Sequence, residues 1–294
     1  MNTEESRKQS RIVVGVAERE DSAAAVRYAA AESRRRHLPV HLVHAVHPLL
    51  AGPESDLIAV TREPVLLRAH QVLEDVAADL RRELGPDAPV TTELVVGHAA
   101  AVLDARSEDA DLVVLQPERM GQRQHVPTYS ITSHVAAKGG APVVAVPAAW
   151  TEPGPGPVTV GVREAEGATP LLRTAFEEAA ARGVTLRVVH AWHYGPYDDV
   201  VFAGVDEQRH SDELAEQVRA ELAPLAATFR DTALDLVVHH GRPADALVAE
   251  SAHAGLLVVG RHRVGRRVTR HLGSVGRALL RESACPVLVV DPRG

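Results

Sequence analysis

The sequence predicts an α/β fold in two tandem domains, each a doubly wound, mainly parallel sheet of five strands with helices on both faces. A long internal repeat is the first observation: residues 12–46 match 158–192, and residues 93–116 match 235–261, at offsets of 142 to 146 residues. A repeat of this length is typical of a duplicated domain. The second observation is that short β-branched runs alternate with segments of helical period, which favours right-handed β-α-β units.

Five apolar runs in each half predict strands. They are apolar at successive positions, as expected of parallel strands that helices cover on both faces. In the first half they are Ile12–Val16, Val40–Val46, Thr92–Val96, Leu112–Leu115 and Val143–Val146. In the second half they are Val158–Val162, Leu186–Trp192, Asp235–Val238, Leu256–Val259 and Val287–Val290.

Segments of helical period between these runs predict four helices in each half. In the first half they are Ser22–Arg36, Pro64–Leu84, Ala99–Glu108 and Ile131–Lys138. In the second half they are Thr169–Arg182, Asp206–Thr228, Pro243–Ala254 and Val275–Glu282. Ser22 and Thr169 are predicted N-caps, because their hydroxyls suit the first free amides of a helix. Residues 47–62 and 193–205 differ most between the copies and are predicted to be surface loops.

The Pro/Gly-rich segment 151–157 lies between the two copies and predicts a connector. We therefore expect domain 1 to cover residues 1–149 and domain 2 to cover residues 150–294. Each copy also serves as a control for the other, because a chemical group present in only one of them is not required by the fold.

Composition excludes several classes of function. With a net charge of −7 and only 3% aromatic residues, the chain lacks the basic face and stacking platforms of a general nucleic-acid binder. Cys285 is the only cysteine, so we expect no internal disulfide, a reducing compartment and a buried, unreactive thiol. No apolar run approaches the ~18 residues of a membrane span, and the N-terminus has no signal-peptide core. These features predict a soluble, cytoplasmic protein.

The loop after the fourth strand of the second half carries the most specific motif. It begins at Gly260, contains seven Arg or His residues and reaches Gly273-Ser274. This loop, the Val-Gly-Val start and the His-Ala ending of the second strand resemble the universal stress protein (UspA-like) family over nearly the whole of both halves. The resemblance implies a Rossmann-like, adenine nucleotide alpha hydrolase-like fold and a non-catalytic stress-response role. It also implies ATP, or another adenine nucleotide, as the ligand, with no metal required by the sequence.

Nucleotide-binding members of that family carry G-x2-G-x9-G-[ST]-x-[ST] in this loop, where glycines admit phosphates and the hydroxyls open a helix. Gly260, Gly273 and Ser274 match this motif, whereas Arg263 replaces the second glycine and Gly276 replaces the last Ser/Thr. The family's adenosine-binding aspartate after the first strand is also missing, since Ala17 and Arg163 stand at the two corresponding positions.

The first half departs further from the motif. Ser130 and Thr132 match its hydroxyl positions, but none of the three glycines is present in the segment from Leu115 through Pro117 to Glu118. A carboxylate near 4 Å from a phosphate costs roughly 4 kcal/mol at an effective dielectric of about 20. We therefore expect the first half not to bind ATP in the usual way.

In the second half, guanidinium groups can replace missing backbone contacts to a phosphate chain. The candidate nucleotide-binding residues are Gly260, Arg261, His262, Arg263, Gly265, Gly273, Ser274, Val275, Ala191 and Arg163. Two other interpretations of this loop stay open: a solvated basic loop, and a contact for an acidic partner. Two other functions stay open as well: a ligand-free scaffold that binds an unknown protein, and, more weakly, a slow ATPase.

Other signals are interpreted structurally. His44-x-x-His47 and His190-x-x-His193 recur at the end of the second strand, but residues three apart on a strand face opposite sides, which disfavours a metal site. We expect the first histidine of each pair to be packed and hydrogen-bonded. No nucleophile elbow or P-loop is present, so no catalytic residues are predicted.

The last strand of each half is strongly apolar and would form a sheet edge that needs cover. The resemblance implies pairing through these strands, so we expect a pseudo-dimer of the two domains, with a further homodimer also open.

Overall fold

The structure is a computed structural model, and the chain divides into two compact units: unit 1, residues 1–153, and unit 2, residues 154–294. The described residues are 10–47, 56–117, 130–152, 154, 156–163, 167–193, 207–264 and 269–291. For 56–62, 262–264 and 269–271 the structure describes the backbone alone.

Unit 1 is a parallel five-stranded sheet with the strand order β3-β2-β1-β4-β5. The strands are β1 Ile12–Val16, β2 Val40–Val46, β3 Val90–Val96, β4 Leu112–Leu115 and β5 Val143–Ala145. The helices are α1 Ala23–Arg36, α2 Asp56–Leu84, α3 Ala99–Ser107 and α4 Ile131–Lys138. The core strands β1, β4 and β5 are almost entirely buried, as a sheet covered on both faces requires.

Unit 2 repeats this sheet with the order β12-β9-β6-β7-β8 and adds an antiparallel ribbon, β10-β11. Its strands are β6 Val158–Val162, β7 Leu186–Trp192, β8 Leu234–His240, β9 Leu256–Gly260, β10 His262–Val264, β11 Thr269–His271 and β12 Val287–Val290. Its helices are α5 Thr169–Arg182, α6 Glu207–Thr228, α7 Pro243–Ser251 and α8 Ser274–Glu282. The α/β fold with tandem domains and mainly parallel strands is therefore confirmed.

The glycine of each Val-Gly-Val run allows a leucine to pack directly on the first strand. A Cβ added to Gly15 would lie 2.5 Å from Leu115 Cδ2, and one added to Gly161 would lie 2.6 Å from Leu247 Cδ1. Leu247 belongs to α7, and Leu103 of the equivalent helix α3 also lies within 3.1 Å of the Gly15 position. The repeated glycine is therefore a packing requirement of the fold, independent of any ligand.

Two local expectations are wrong, and a third is confirmed only in part. The sequence predicts a loop over residues 47–62 and a helix that begins at Pro64, but α2 begins at Asp56 and contains Pro64. Ser22 is the N-cap of α1 as predicted, but its hydroxyl accepts a bond from Ala17 N–H and donates to the Glu18 carbonyl, and it makes no cap bond. Thr169 is the first residue of α5 and donates to Glu221 Oε2 at 3.4 Å, while Ala168 is the N-cap.

The single cysteine behaves as expected. Cys285 is buried, with 4% exposure, and burial raises the pKa of its thiol to about 11. A thiol with so high a pKa carries little of the nucleophilic thiolate at neutral pH. Separately, no helix in the described part of the chain is both long and apolar enough to cross a bilayer.

Candidate functional site

The strand order of unit 2 reverses between β6 and β9. From β6 the chain proceeds to β7 and β8 on one side, and from β9 it proceeds to β12 on the other. In open parallel sheets, ligands bind at such a switch point, in the crevice beyond the carboxyl ends of the strands. Because β9 and β12 are parallel, the helix that connects them, α8, begins at this same edge of the sheet.

Gly260 and Arg261 lie at the carboxyl end of β9, on this edge of the sheet. Gly260 is the last residue of β9 and lies opposite Val290, and Arg261 N–H donates to the Val290 carbonyl at 2.8 Å. Arg261 is only 4% exposed. The interpretation of the arginine-rich segment as a solvated loop is therefore wrong for Arg261, which is part of the folded edge.

The remainder of that segment was predicted to be a loop but contains the ribbon β10-β11. Its register places Arg263 opposite Arg270 and His262 opposite His271. Gly265, which we had also selected as a candidate, lies outside the described residues. Two arginine positions are thus paired by backbone hydrogen bonding in the segment that leads from β9 to α8.

The first turn of α8 has no side-chain cap. Gly273 is the N-cap with extended backbone angles, and within the part of the chain that the structure describes no side chain accepts a bond from the first amides. Ser274 is the exposed first residue of the helix, so it lies one position after the N-cap. The amides of Ser274, Val275 and Gly276 precede the first intrahelical bond, from Arg277 N–H to the Gly273 carbonyl at 3.1 Å. Uncapped amides of this kind attract anions.

Gly276 stands where the family motif has its last Ser/Thr, and packing explains the exchange. A Cβ at this position would lie 2.7 Å from Leu272 Cδ1 and 2.8 Å from Leu272 Cγ. Leu272 is buried, with 5% exposure. A serine at position 276 therefore requires Leu272 to move.

The equivalent helix of unit 1 is capped by its own sequence. Ser130 Oγ accepts a bond from Ser133 N–H at 3.3 Å, at the N-terminus of α4. Thr132, the second hydroxyl of the motif, is 5% exposed and therefore buried. In unit 1, therefore, one of the two motif hydroxyls caps the helix and the other belongs to a buried residue.

The strand registers also correct which residue replaces the first motif glycine in unit 1. Leu115 lies opposite Ala145, as Val259 lies opposite Val289, so that Gln116 is the counterpart of Gly260. Counting the motif from Leu115 to Glu118 in the sequence instead places Leu115 there, and that prediction is wrong. Glu118, on which the predicted repulsion depends, lies outside the described residues.

Gln116 occupies the edge that Gly260 leaves open. Its Oε1 accepts a bond of 2.9 Å from Ala24 N–H in the first turn of α1. In the repeat, Ala24 corresponds to Pro170, the second residue of α5, which has no N–H to satisfy. The pair Gln116 and Ala24 thus replaces the pair Gly260 and Pro170.

The strand-end histidines brace the first strand in both units, as expected. His44 Nδ1 lies 2.9 Å from the Val16 carbonyl, and His190 Nδ1 lies 3.0 Å from the Val162 carbonyl. Since a carbonyl only accepts, each Nδ1 donates. Burial lowers the pKa of His190 and so favours the neutral ring, against the opposing effect of the bond to Val162. No group of three or more potential metal ligands occurs within the described residues.

Ala191 is half-buried next to an aromatic cluster that the sequence did not reveal. Trp192 stacks on His240 with ring centroids 4.3 Å apart, and His210 meets its edge at 4.6 Å. Trp192 Nε1 donates to Ser211 Oγ at 3.1 Å. The His239-His240 pair at the end of β8 was the available sequence signal for this cluster. Arg163, the remaining candidate, is exposed directly after β6.

Comparison with known proteins identifies relatives of the whole chain. The model of the Universal stress protein family matches residues 9–147 and 156–291. The chain is 30% identical to universal stress protein Rv2005c of Mycobacterium tuberculosis over 96% of this chain and 97% of that protein. It is 31% identical to universal stress protein Rv2623 of the same species, with 95% of each chain covered. The crystal structure of a universal stress protein from Archaeoglobus fulgidus matches with a TM-score of 0.69 at 16% identity, covering 97% of this chain and 99% of that one.

Proposed function

The chain belongs to the universal stress protein family, and from this premise we propose that it is a non-catalytic, cytoplasmic stress-response protein that binds an adenine nucleotide through unit 2. ATP is the expected nucleotide, and its phosphates are the part that this site recognises. The phosphates lie at the N-terminus of α8, beside the ends of β6 and β9.

The uncapped N-terminus of α8 carries this proposal. A helix N-terminus bears roughly half a positive elementary charge, and here its free amides follow Gly273, which places no side chain in front of them. Gly260 likewise leaves the end of β9 open. The contrast with α4, whose amide is satisfied by Ser130, makes unit 2 the better anion site.

The arginines of the ribbon supply the countercharge for a phosphate chain. Arg263 and Arg270 occupy paired positions between β9 and α8. Guanidinium groups bind phosphate oxygens through charge-assisted, often bidentate bonds. This charge compensates for the motif glycine that Arg263 replaces.

Calorimetric titration of the full chain with ATP, ADP and AMP tests the proposal. We expect saturable binding, with Arg263→Glu weakening ATP affinity by about tenfold or more, since one lost charge-assisted contact is worth about 1.5–3 kcal/mol. Arg281→Glu is the matched control, because Arg281 lies in the last turn of the same helix and pairs with Glu282 at 2.5 Å. This control leaves the affinity unchanged.

The same titration separates the other functions. If no nucleotide binds, the proposal is wrong and a ligand-free interaction scaffold is favoured. Phosphate release from bound ATP would instead favour a slow ATPase. Pairing of the two units through their last strands, and a homodimer, stay predictions that cross-linking of the full chain can test.

A further inference from the structure

A second candidate site lies in unit 1, between α1 and α2. It is a cavity of about 320 Å³ whose apolar floor consists of Ala23, Val26 and Val76. All its lining residues belong to the two helices and to the turn before α1, and none belongs to a strand. Its volume is at the lower end of the range for small-molecule sites, which begins at about 300 Å³.

Arg27 lines this cavity, and the described residues of unit 1 do not compensate its charge. Its Nη2 donates to the Trp150 carbonyl at 2.9 Å, and its Nε is buried without an acceptor. Among the described residues, no carboxylate lies within ion-pair distance of Arg27. A partly buried cation without an anion is costly, so an anionic ligand stabilises this arrangement.

The acidic residues around the cavity are paired with other cations. Asp79 accepts two bonds of 2.8 Å from Arg19 and one of 2.8 Å from Arg82. Glu83 lies 3.3 Å from Arg34. These carboxylates therefore do not neutralise Arg27.

The same carboxylates limit which anions fit. Glu20 is exposed at the rim, and Asp79 and Glu83 line the cavity. Like charges repel a multiply charged phosphate more strongly than a single carboxylate. The apolar floor meanwhile favours a ligand with an apolar body.

We propose that this cavity binds a small organic monocarboxylate, whose apolar part covers Ala23, Val26 and Val76 and whose carboxylate pairs with Arg27. The guanidinium matches a carboxylate in shape and charge. This site is separate from the nucleotide site proposed for unit 2 and does not depend on it.

Unit 2 provides an internal control. Thr169 stands at the position of Ala23 in the repeat and donates to Glu221 Oε2 of α6 at 3.4 Å. A polar pair therefore occupies the equivalent place between α5 and α6. Arg173 is the counterpart of Arg27 in the repeat.

Titration calorimetry and saturation-transfer NMR of the full chain, with benzoate and hexanoate as probes, test the proposal. We expect saturable binding of at least one carboxylate to the wild-type protein. Arg27→Gln weakens it by about tenfold or more, and Ala23→Leu abolishes it by filling the floor. Arg173→Gln leaves it unchanged. Benzamide, a neutral analogue of benzoate, and inorganic phosphate do not compete.

Three outcomes would overturn the proposal. The first is that neither carboxylate binds the wild-type protein. The second is that Arg27→Gln and Ala23→Leu both bind the carboxylate as tightly as the wild-type protein does. The third is that ATP displaces the carboxylate. Thermal unfolding of each variant checks that it is folded. Ala23→Leu guards against a folding defect of Arg27→Gln, because leucine is a good helix former and Ala23 is only half-buried.

Discussion

Gln116 Oε1 accepts a hydrogen bond of 2.9 Å from Ala24 N–H, so a side chain that follows β4 satisfies the first turn of α1. The two residues are 92 positions apart in the chain. In unit 2 the corresponding residues are Gly260, which has no side chain, and Pro170, which has no N–H. The two units therefore differ at both positions together. In unit 1 a side chain covers the end of β4, whereas in unit 2 no side chain covers the end of β9.

Replacing Gln116 by alanine is expected to destabilise unit 1 by about 1 kcal/mol, because the partly buried amide of Ala24 loses its acceptor. Gln116→Glu keeps an acceptor near a helix N-terminus and should retain the stability. Urea unfolding in a Trp192→Phe background measures both, since Trp150 then reports on unit 1 through its packing on Tyr28 at 5.4 Å. Equal midpoints for Gln116→Ala and the parent would contradict this account.

Thr159 of β6 offers a stabilising substitution. Its hydroxyl is fully buried and has no hydrogen-bond partner, whereas Val13 holds the equivalent position in β1. A buried polar group without a partner costs about 1–3 kcal/mol. Thr159→Val keeps the shape, so we expect unit 2 to gain about 1 kcal/mol, measured by urea unfolding with Trp192 as reporter in a Trp150→Phe background.

The reverse change, Val13→Thr, is the matched control. It places a hydroxyl in the equivalent buried position, and we expect it to cost unit 1 about 1–3 kcal/mol. A loss of stability in Thr159→Val would mean that the hydroxyl has an acceptor, and would refute the prediction.

The sequence predicted the sheets well because their strands are apolar on both faces. A short, wholly apolar run such as Leu112–Leu115 is typical of a buried strand. The internal repeat also shows a matching run for each strand in the other half of the chain. Helix starts were less predictable. The helical period predicted that this helix begins at Pro64, yet α2 extends before it, because a proline removes one backbone bond but does not always end a helix.

The candidate site was predicted only in part. Its place, at the carboxyl ends of β6 and β9, follows from the order of strands and helices. The ribbon β10-β11 did not, because its Arg and His residues carry no apolar alternation that would predict strands. The contact between Gln116 and Ala24 is equally hidden, since nothing local in either segment specifies its partner.

Glu93 should make the stability of unit 1 depend on pH. Arg106 donates to both of its oxygens, at 2.7 and 2.5 Å, and His41 Nε2 lies 3.0 Å away. The bonds from Arg106, reinforced by His41, lower the pKa of Glu93 from 4.5 to about 2 against the opposing effect of burial. The carboxylate therefore contributes stability above pH 4.5, and this contribution disappears as the pH falls towards 2.

Glu93→Gln should accordingly lower the stability of unit 1 by about 1–3 kcal/mol at pH 7 and by much less near pH 2.5, since about 1.4 kcal/mol accompanies each unit of pKa shift. Urea unfolding in the Trp192→Phe background across this range measures it. Glu18→Gln is the control: Glu18 forms an exposed pair with Arg68 at 3.0 Å, for which we expect less than about 1 kcal/mol. If the loss of stability in Glu93→Gln is the same at every pH, the ion pair does not account for it.

Restoring the family hydroxyl at Gly276 should destabilise unit 2. Gly276→Ser brings a Cβ to 2.7 Å from Leu272 Cδ1, and such overpacking costs about 1–3 kcal/mol. Leu272→Ala alone leaves a cavity and costs about 2–5 kcal/mol. In the double variant the serine occupies space that the leucine has vacated, so the double loss should be smaller than the sum of the single losses by about 1 kcal/mol or more. A double-mutant cycle by urea unfolding, with Trp192 as reporter, measures this coupling. If the losses of stability in the two single variants simply add up in the double variant, contact with Leu272 is not the reason for a glycine at position 276. The absence of the motif hydroxyl would then need another cause.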